Sequence, residues 1–330
     1  MKNTILSLAM ATILAVVLPG CQKELEIKSP GNLVPKTVDQ DPTLPSISVN
    51  GTQLHSEAFG NPNDPMVVFL HGGPGCDYRN AYNVKQLTDD GYYVVFYDQR
   101  GSGLSQRHDR NSFSLQIILD DLTAVIANYR TSVNQKIFLM GHSWGAMLAA
   151  AYINSYPEKI RGTILLEPGG LTDEMIKEYG QLSRKIKLLS EATNDVIYSD
   201  QFLTGNANEH EILDYKMSMI STYSFAKDNI EGIEGPYPFW RHGAEFLQSM
   251  QDLADSEGFD FTTNLHNYTT EVLYLYSQNN QAYGLQHAQE IARYFSSVKL
   301  YEIAETGHEM IYFKWNSVYT VVLPYLNSLR

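Results

Sequence analysis

The sequence has little cysteine, little positive charge and no long apolar stretch, and each shortage narrows what the chain can be. Two cysteines occur in 330 residues, too few for a disulfide framework. Lys and Arg number 24 against 37 Asp and Glu, a net charge of −13. Nucleic acid is therefore excluded as a partner, since phosphate binding needs clustered cations. No Cys/His cluster has zinc-site spacing, so no metal or other cofactor is expected. No internal repeat is visible. The markedly apolar run Ile5–Leu18 is about 14 residues, short of the roughly 20 that span a bilayer. With 43% hydrophobic and 18% charged residues, the chain can still bury a substantial core.

That apolar run follows Lys2 and has the length of a signal-peptide hydrophobic region, so residues 1–20 are set aside from fold reasoning. Its end, Leu18-Pro19-Gly20-Cys21, resembles a bacterial lipobox, although Pro19 is not its commonest residue. By that resemblance the mature chain begins at a lipid-bearing Cys21. It would then be an exported lipoprotein held at a membrane of the bacterial cell envelope by its N-terminal lipid. Plain secretion with an incidental cysteine is the alternative. Residues 21–45, with Ser29-Pro30-Gly31, Pro35, Pro42 and Pro45, read as a tether.

From Ser46 onward, short apolar runs alternate with helical patterns. Met66–Leu70, Tyr92–Tyr97, Lys136–Met140, Thr163–Leu166, Val272–Tyr276 and Lys299–Ile303 read as strands buried on both faces. Ser114–Tyr129, Ala146–Ser155 and Leu285–Phe295 carry helical spacing, and Ser46–Asn50 with Gln53–Phe59 form an antiparallel start. The fold class is α/β: a mostly parallel central sheet with helices on both faces. The rhythm breaks over residues 171–265, which read as a helical cap inserted between a first core part, 46–170, and a second, 266–330. Ligands in open α/β sheets bind at the edge such a cap would cover.

Gly141-His142-Ser143-Trp144-Gly145 fits G-x-S-x-G between a strand and a helix, the context of a nucleophile elbow. A structural serine in a Gly-rich turn is the competing reading. His71-Gly72-Gly73-Pro74-Gly75 follows another strand, and its bare backbone suits an oxyanion donor. The N–H groups of Gly73 and Trp144 are the candidates, because Pro74 has no N–H. A phosphate loop is disfavoured by the missing lysine and the acidic charge. Of nine histidines, His308 alone follows the final strand, where it can act as base to Ser143; His71 and His142 read as structural. Cys76 has no base partner and reads as packing.

Taken together, HGGPG, YDQRGSGLS (Tyr97–Ser105), GHSWGA and the late TGH resemble the proline iminopeptidase branch of the α/β-hydrolases. The resemblance implies the α/β-hydrolase fold and a serine peptidase removing N-terminal residues, often proline, from short peptides. It also implies that Asp98-Gln99-Arg100-Gly101 is a structural loop. Members usually carry the acid of the triad after the penultimate strand, where this chain has Asn280. Glu167, which ends the strand after that of Ser143, is the expected substitute, keeping the order Ser143, Glu167, His308. Two alternatives stay open: Glu167 capping amides near Gly169-Gly170, and Asn280 as a weak orienter of His308.

Residues 171–265 hold 17 acidic and 7 basic residues, a net charge of −10. An acidic lid would attract a substrate's α-ammonium. Glu231, Glu234 and Glu245, flanking Tyr237-Pro238-Phe239-Trp240, are the candidate contacts, with Trp240 offering apolar surface. A solvated lid and ordinary cap packing explain the same residues. An ester hydrolase on the same machinery and a silent binding lipoprotein are the rival functions.

Overall fold

The computed structural model describes residues 32–182, 207–223 and 229–330. The signal segment, Cys21 and the expected tether as far as residue 31 lie outside the described residues. Leu33–Arg330 is one compact unit. The tether was expected to run to residue 45, and the structure corrects this. Val34, Thr37 and Val38 are buried, and the Val38 N–H donates to Leu104 O at 2.8 Å. Two β-branched apolar side chains so close together gain more from the domain surface than from solvent.

Eight strands form one sheet in the order β1-β2-β4-β3-β5-β6-β7-β8. They are β1 (Ser46–Val49), β2 (Thr52–Phe59), β3 (Met66–Leu70), β4 (Tyr93–Tyr97), β5 (Ile137–His142), β6 (Gly162–Leu166), β7 (Val272–Ser277) and β8 (Val298–Ile303). The β1–β2 and β2–β4 pairings are antiparallel, and every pairing from β4 to β8 is parallel.

Strand alternation divides the core into two layers. On β3, Met66, Val68 and Leu70 face one apolar cluster while Val67 and Phe69 face the other. The first cluster is closed by α1 (Leu115–Tyr129) and α2 (Trp144–Ser155). The second is closed by the 3₁₀ segment Arg79–Asp90 and the C-terminal helices α7 (Met310–Phe313) and α8 (Trp315–Leu329). Ser114 caps α1 by accepting the Ile117 N–H, as a serine before an apolar periodic run should. One strand departs from expectation: β8 is an edge strand, with Lys299, Tyr301 and Glu302 exposed, so it is not buried on both faces.

Among the described residues, the stretch from 171 to 265 adds no strand to the sheet. It holds α3 (Asp173–Leu182), α4 (Glu209–Tyr223) and α5 (Ala244–Glu257), with a single bridge from Thr172 to Asp260. Helix α6 (Leu285–Ala292) then precedes β8. No described helix is long and apolar enough to cross a membrane.

Candidate active site

The parallel sheet ends its strands along one edge, and three of those ends carry the polar residues of the site. Strand β5 runs into Ser143, whose backbone lies at φ 54° and ψ −120°. That conformation is costly for a residue with a side chain and recurs at functional sites. The flanking glycines allow it: a Cβ on Gly141 would come within 2.2 Å of Gly145 O, and one on Gly145 within 2.0 Å of Leu70 O. Strand β6 steadies the turn, Leu166 O accepting the Ser143 N–H at 2.8 Å. Trp144 then opens α2, where an N–H has no carbonyl four residues back in the helix.

Glu167 follows β6 at φ 45°, another positive φ on a non-glycine residue. Its side chain is fully buried, yet well supplied with donors. Oε2 accepts from His308 Nδ1 at 2.8 Å and from Asn280 Nδ2 at 2.9 Å, while Oε1 accepts the Ser277 N–H at 2.6 Å and the Ser277 hydroxyl. A buried carboxylate is tolerable only when paired in this way.

His308 sits in the loop after β8 and is held at both backbone groups. Its N–H donates to Glu231 O at 2.9 Å, and its carbonyl accepts from His142 Nε2 at 2.8 Å. Tyr283 packs against the imidazole edge-on, with centroids 5.0 Å apart. With the Nδ1 proton committed to Glu167, Nε2 of the neutral ring carries the lone pair. Burial works against the imidazolium, but the hydrogen bond and charge of Glu167, with the charges of Glu231 and Glu309, outweigh it and hold the His308 pKa above its usual value. Burial pushes His142 the other way, so it stays neutral.

Ser143 and His308 open onto one cleft of about 470 Å³, solvent included, together with Gly72, Gly73, Cys76, Asp77, Asn80, His142, Tyr237, Pro238, Phe239, His242 and Glu309. Gly72 lies against the serine, since a Cβ there would stand 3.3 Å from Ser143 Cβ. Gly73 has φ 122°, and a Cβ on it would meet Gly75 N at 2.6 Å. The HGGPG turn therefore passes the cleft as bare backbone. Behind it, Gln99 ties the turn to the elbow: its N–H donates to His71 Nε2 at 2.9 Å, and its Oε1 accepts the Trp144 indole N–H at 2.9 Å. Asp98 accepts from His55 Nδ1 at 2.8 Å and Leu104 N at 2.8 Å, and Arg100 pairs with buried Asp121 at 2.7 Å. The DQRG run thus braces the scaffold.

Several expected residues stand elsewhere. Asn280 does not bond His308; it lies against Glu167 instead. None of Glu231, Glu234, Glu245 and Trp240 lines the cleft. The 231–234 stretch is pressed onto the His308 loop, where a Cβ on Gly307 would fall 2.0 Å from Gly232 O. Accordingly, Glu231 accepts from the Tyr283 hydroxyl at 2.9 Å and Glu234 from the Gly307 N–H at 3.3 Å. Glu245 starts α5, where its carbonyl accepts from the Ser249 hydroxyl at 2.7 Å. Trp240 is turned away because Asp77 takes both its N–H (2.6 Å) and that of Arg241 (3.1 Å), leaving its ring against His55 and Tyr78.

The acidic residues that do line the cleft are Asp77 and Glu309, which the sequence reading missed. Burial and the nearby Asp98 raise the Asp77 pKa to about 7, against the pull of three backbone N–H donors. Glu309 accepts from Asn80 Nδ2 at 2.9 Å. Their only signal was adjacency, one residue beyond Cys76 and one beyond His308. No group of three or more His, Cys, Asp or Glu among the described residues is placed to hold a metal.

Residues 61–312 match the family model described as serine aminopeptidase, S33. A proline iminopeptidase of Heyndrickxia coagulans is 26% identical over 302 residues, covering 86% of this chain and 98% of that one. A proline iminopeptidase of Thermoplasma volcanium is 36% identical over 127 residues, 38% of this chain and 42% of the other. Relatives at 30% identity and above are matched over only 33–42% of their own length. The enol-lactonase structure from Burkholderia xenovorans LB400 superimposes with a TM-score of 0.59 at 15% identity, covering 86% of this chain and 100% of that one. At that identity it speaks to the fold alone. The chain is thus a hydrolase of the α/β-hydrolase superfamily, and it belongs to the serine aminopeptidase S33 family beside the proline iminopeptidases.

Proposed function

We propose that the protein is a serine aminopeptidase that releases N-terminal residues, proline among them, from short peptides. Ser143 Oγ attacks the scissile carbonyl while His308 Nε2 takes its proton. The N–H groups of Gly73 and Trp144 hold the oxyanion, and collapse expels the amine, which leaves with the proton from His308. Water, deprotonated by the same imidazole, then frees the acyl group from Ser143. Glu167 keeps the imidazole in its working tautomer and offsets the imidazolium charge.

One observation carries the choice of peptidase over ester hydrolase. Two carboxylate side chains, Asp77 and Glu309, line the cleft with Ser143 and His308, and no Lys or Arg is among its described lining residues. A substrate's α-ammonium would find the Glu309 carboxylate there, joined by Asp77 once pH passes about 7, and no cation to repel it. Tyr237, Pro238 and Phe239 add apolar surface suited to a proline ring.

The test is hydrolysis of Pro- and Ala-naphthylamide beside their N-acetylated forms and a short p-nitrophenyl ester. Cleavage confined to the free amines supports the aminopeptidase. Equal cleavage of the acetylated forms overturns it in favour of an amidase that does not read the free N-terminus. Cleavage of the ester alone overturns it in favour of ester hydrolysis, and inertness toward all of them favours a silent binding protein. From the N-terminal sequence we also propose lipidation of Cys21 and residence in the bacterial cell envelope. Labelled palmitate incorporated by the native chain but not by Cys21→Ser is the expected result.

A further inference from the structure

We infer that Asn280 is a positioning residue for the relay, a fixed donor that keeps Glu167 aimed at His308; this rests on the Ser143–His308–Glu167 reading above. Asn280 follows β7 and is buried. Its two amide ends are distinguishable from their neighbours. Oδ1 accepts the backbone N–H of Ala282 at 3.0 Å and of Tyr283 at 3.3 Å. Backbone N–H groups only donate, so the oxygen must face them and the NH2 must face Glu167. The Nδ2 donor then stands 2.9 Å from Glu167 Oε2, the oxygen that also takes the His308 proton donor at 2.8 Å.

Ser277 makes the matching pair of bonds to Oε1. The carboxylate thus has four donors on two oxygens and little freedom to rotate. Asn280 also links this carboxylate to the other face of His308, because the Tyr283 N–H it accepts belongs to the residue whose ring packs edge-on against the imidazole. The remaining titratable groups near this corner are Glu231 and Glu309 beside His308, His142 against its ring, and Tyr274 and His287 near Glu167.

An aspartate at position 280 would be no second acid for the histidine. It would set two carboxylates within about 3 Å, where like charges cannot both ionise at neutral pH. They would share a proton, and its loss would titrate well above the ordinary carboxylate range.

The experiment is the pH profile of kcat and kcat/KM for the native protein, Asn280→Ala, Asn280→Asp and Glu167→Gln. We expect Asn280→Ala to lower kcat about tenfold with KM nearly unchanged, one charge-assisted hydrogen bond being lost. Asn280→Asp, the same shape, should add an ionisation that neither the native protein nor Asn280→Ala shows. A Glu167→Gln protein within a few-fold of native activity would sink the relay itself. If Glu167→Gln is inactive and Asn280→Asp keeps the native profile, the relay stands and the role given to Asn280 falls. Should Asn280→Ala fail to fold, the Asn280→Asp profile alone decides.

Discussion

Asp214 on α4 and Arg241 just before α5 form a 2.6 Å ion pair in which each side chain is 1% exposed. The same Oδ2 takes Arg107 Nε at 2.8 Å, and Oδ1 takes the Ala244 N–H at 2.9 Å. Arg107 also donates to the carbonyls of Ser102, Gly103 and Ser105 in the loop after β4. One acidic residue of the insertion therefore neutralises two arginines, one of them rooted in the core. Removing it strands both charges in a buried site, which costs about 3–5 kcal/mol. Asp214→Ala should lose that much unfolding free energy in urea, and a loss under about 1 kcal/mol would mean that the arginines find other partners.

Glu167→Gln should lower kcat by about 10⁴, the cost of replacing a triad acid by its amide, because the wrong histidine tautomer is then favoured. KM should change little, since Glu167 touches His308 and does not line the cleft. Steady-state kinetics on a Pro- or Ala-naphthylamide check both numbers.

The pH dependence has a definite sign. In the proposed mechanism His308 must be neutral to accept the Ser143 proton, and its pKa is raised from the usual 6.5. Activity should therefore be low in acid and rise with pH through a midpoint above 6.5. The stability that His308 gains from Glu167 runs the opposite way: it is full below 6.5 and lost as pH rises through the folded pKa. Glu309→Gln removes one of the charges that raise the His308 pKa, so the acid limb should move to lower pH. The same variant should raise KM for free-amine substrates.

Asp77 predicts a second, independent pH effect. Its pKa is raised from 3.8 to about 7 in the folded chain, so the native state holds a proton that the unfolded state has lost between those values. Its contribution to stability is full below 3.8 and is lost as pH climbs to about 7. In Asp77→Asn the amide oxygen can still accept from the Trp240 and Arg241 N–H groups, but the side chain cannot ionise. The fall in Tm between about pH 4 and 7 should therefore be shallower in this variant than in the native protein, and an unchanged slope would refute the assignment.

Much of the architecture was legible because the sheet is buried on both faces and its strands are continuous apolar runs. Met66–Leu70 begins and ends as read, and Gly162–Leu166 and Val272–Ser277 differ by a residue at one end. Edge strand β8 was misjudged because apolar Leu300 and Ile303 were taken as burial on both faces, although Lys299, Tyr301 and Glu302 are exposed. The 3₁₀ segment Arg79–Asp90 and the helix Trp315–Leu329 were not assigned, the latter carrying Pro324 in its interior. At the site, the meeting of Ser143, Glu167 and His308 was legible because the first two stand at strand ends and the third in the loop after the last strand, where topology fixes the neighbourhood. Asp77 and Glu309 were not, because whether a carboxylate faces a cleft depends on loop paths that periodicity does not encode. The cap glutamates failed for the same reason, since bulk charge says nothing about which way one side chain turns.

The segment before the sheet meets the acidic clamp directly, for Pro35 O accepts from Arg241 Nη1 at 2.8 Å. Mechanically, the entry of the chain into the domain and the helix that carries Asp214 are coupled through the Arg241 guanidinium and, further along, through Gln40 Nε2, which donates to Glu211 Oε1 at 3.2 Å. A pull at Leu33 would be borne first by Arg241 and the insertion around it, ahead of the sheet that carries Ser143.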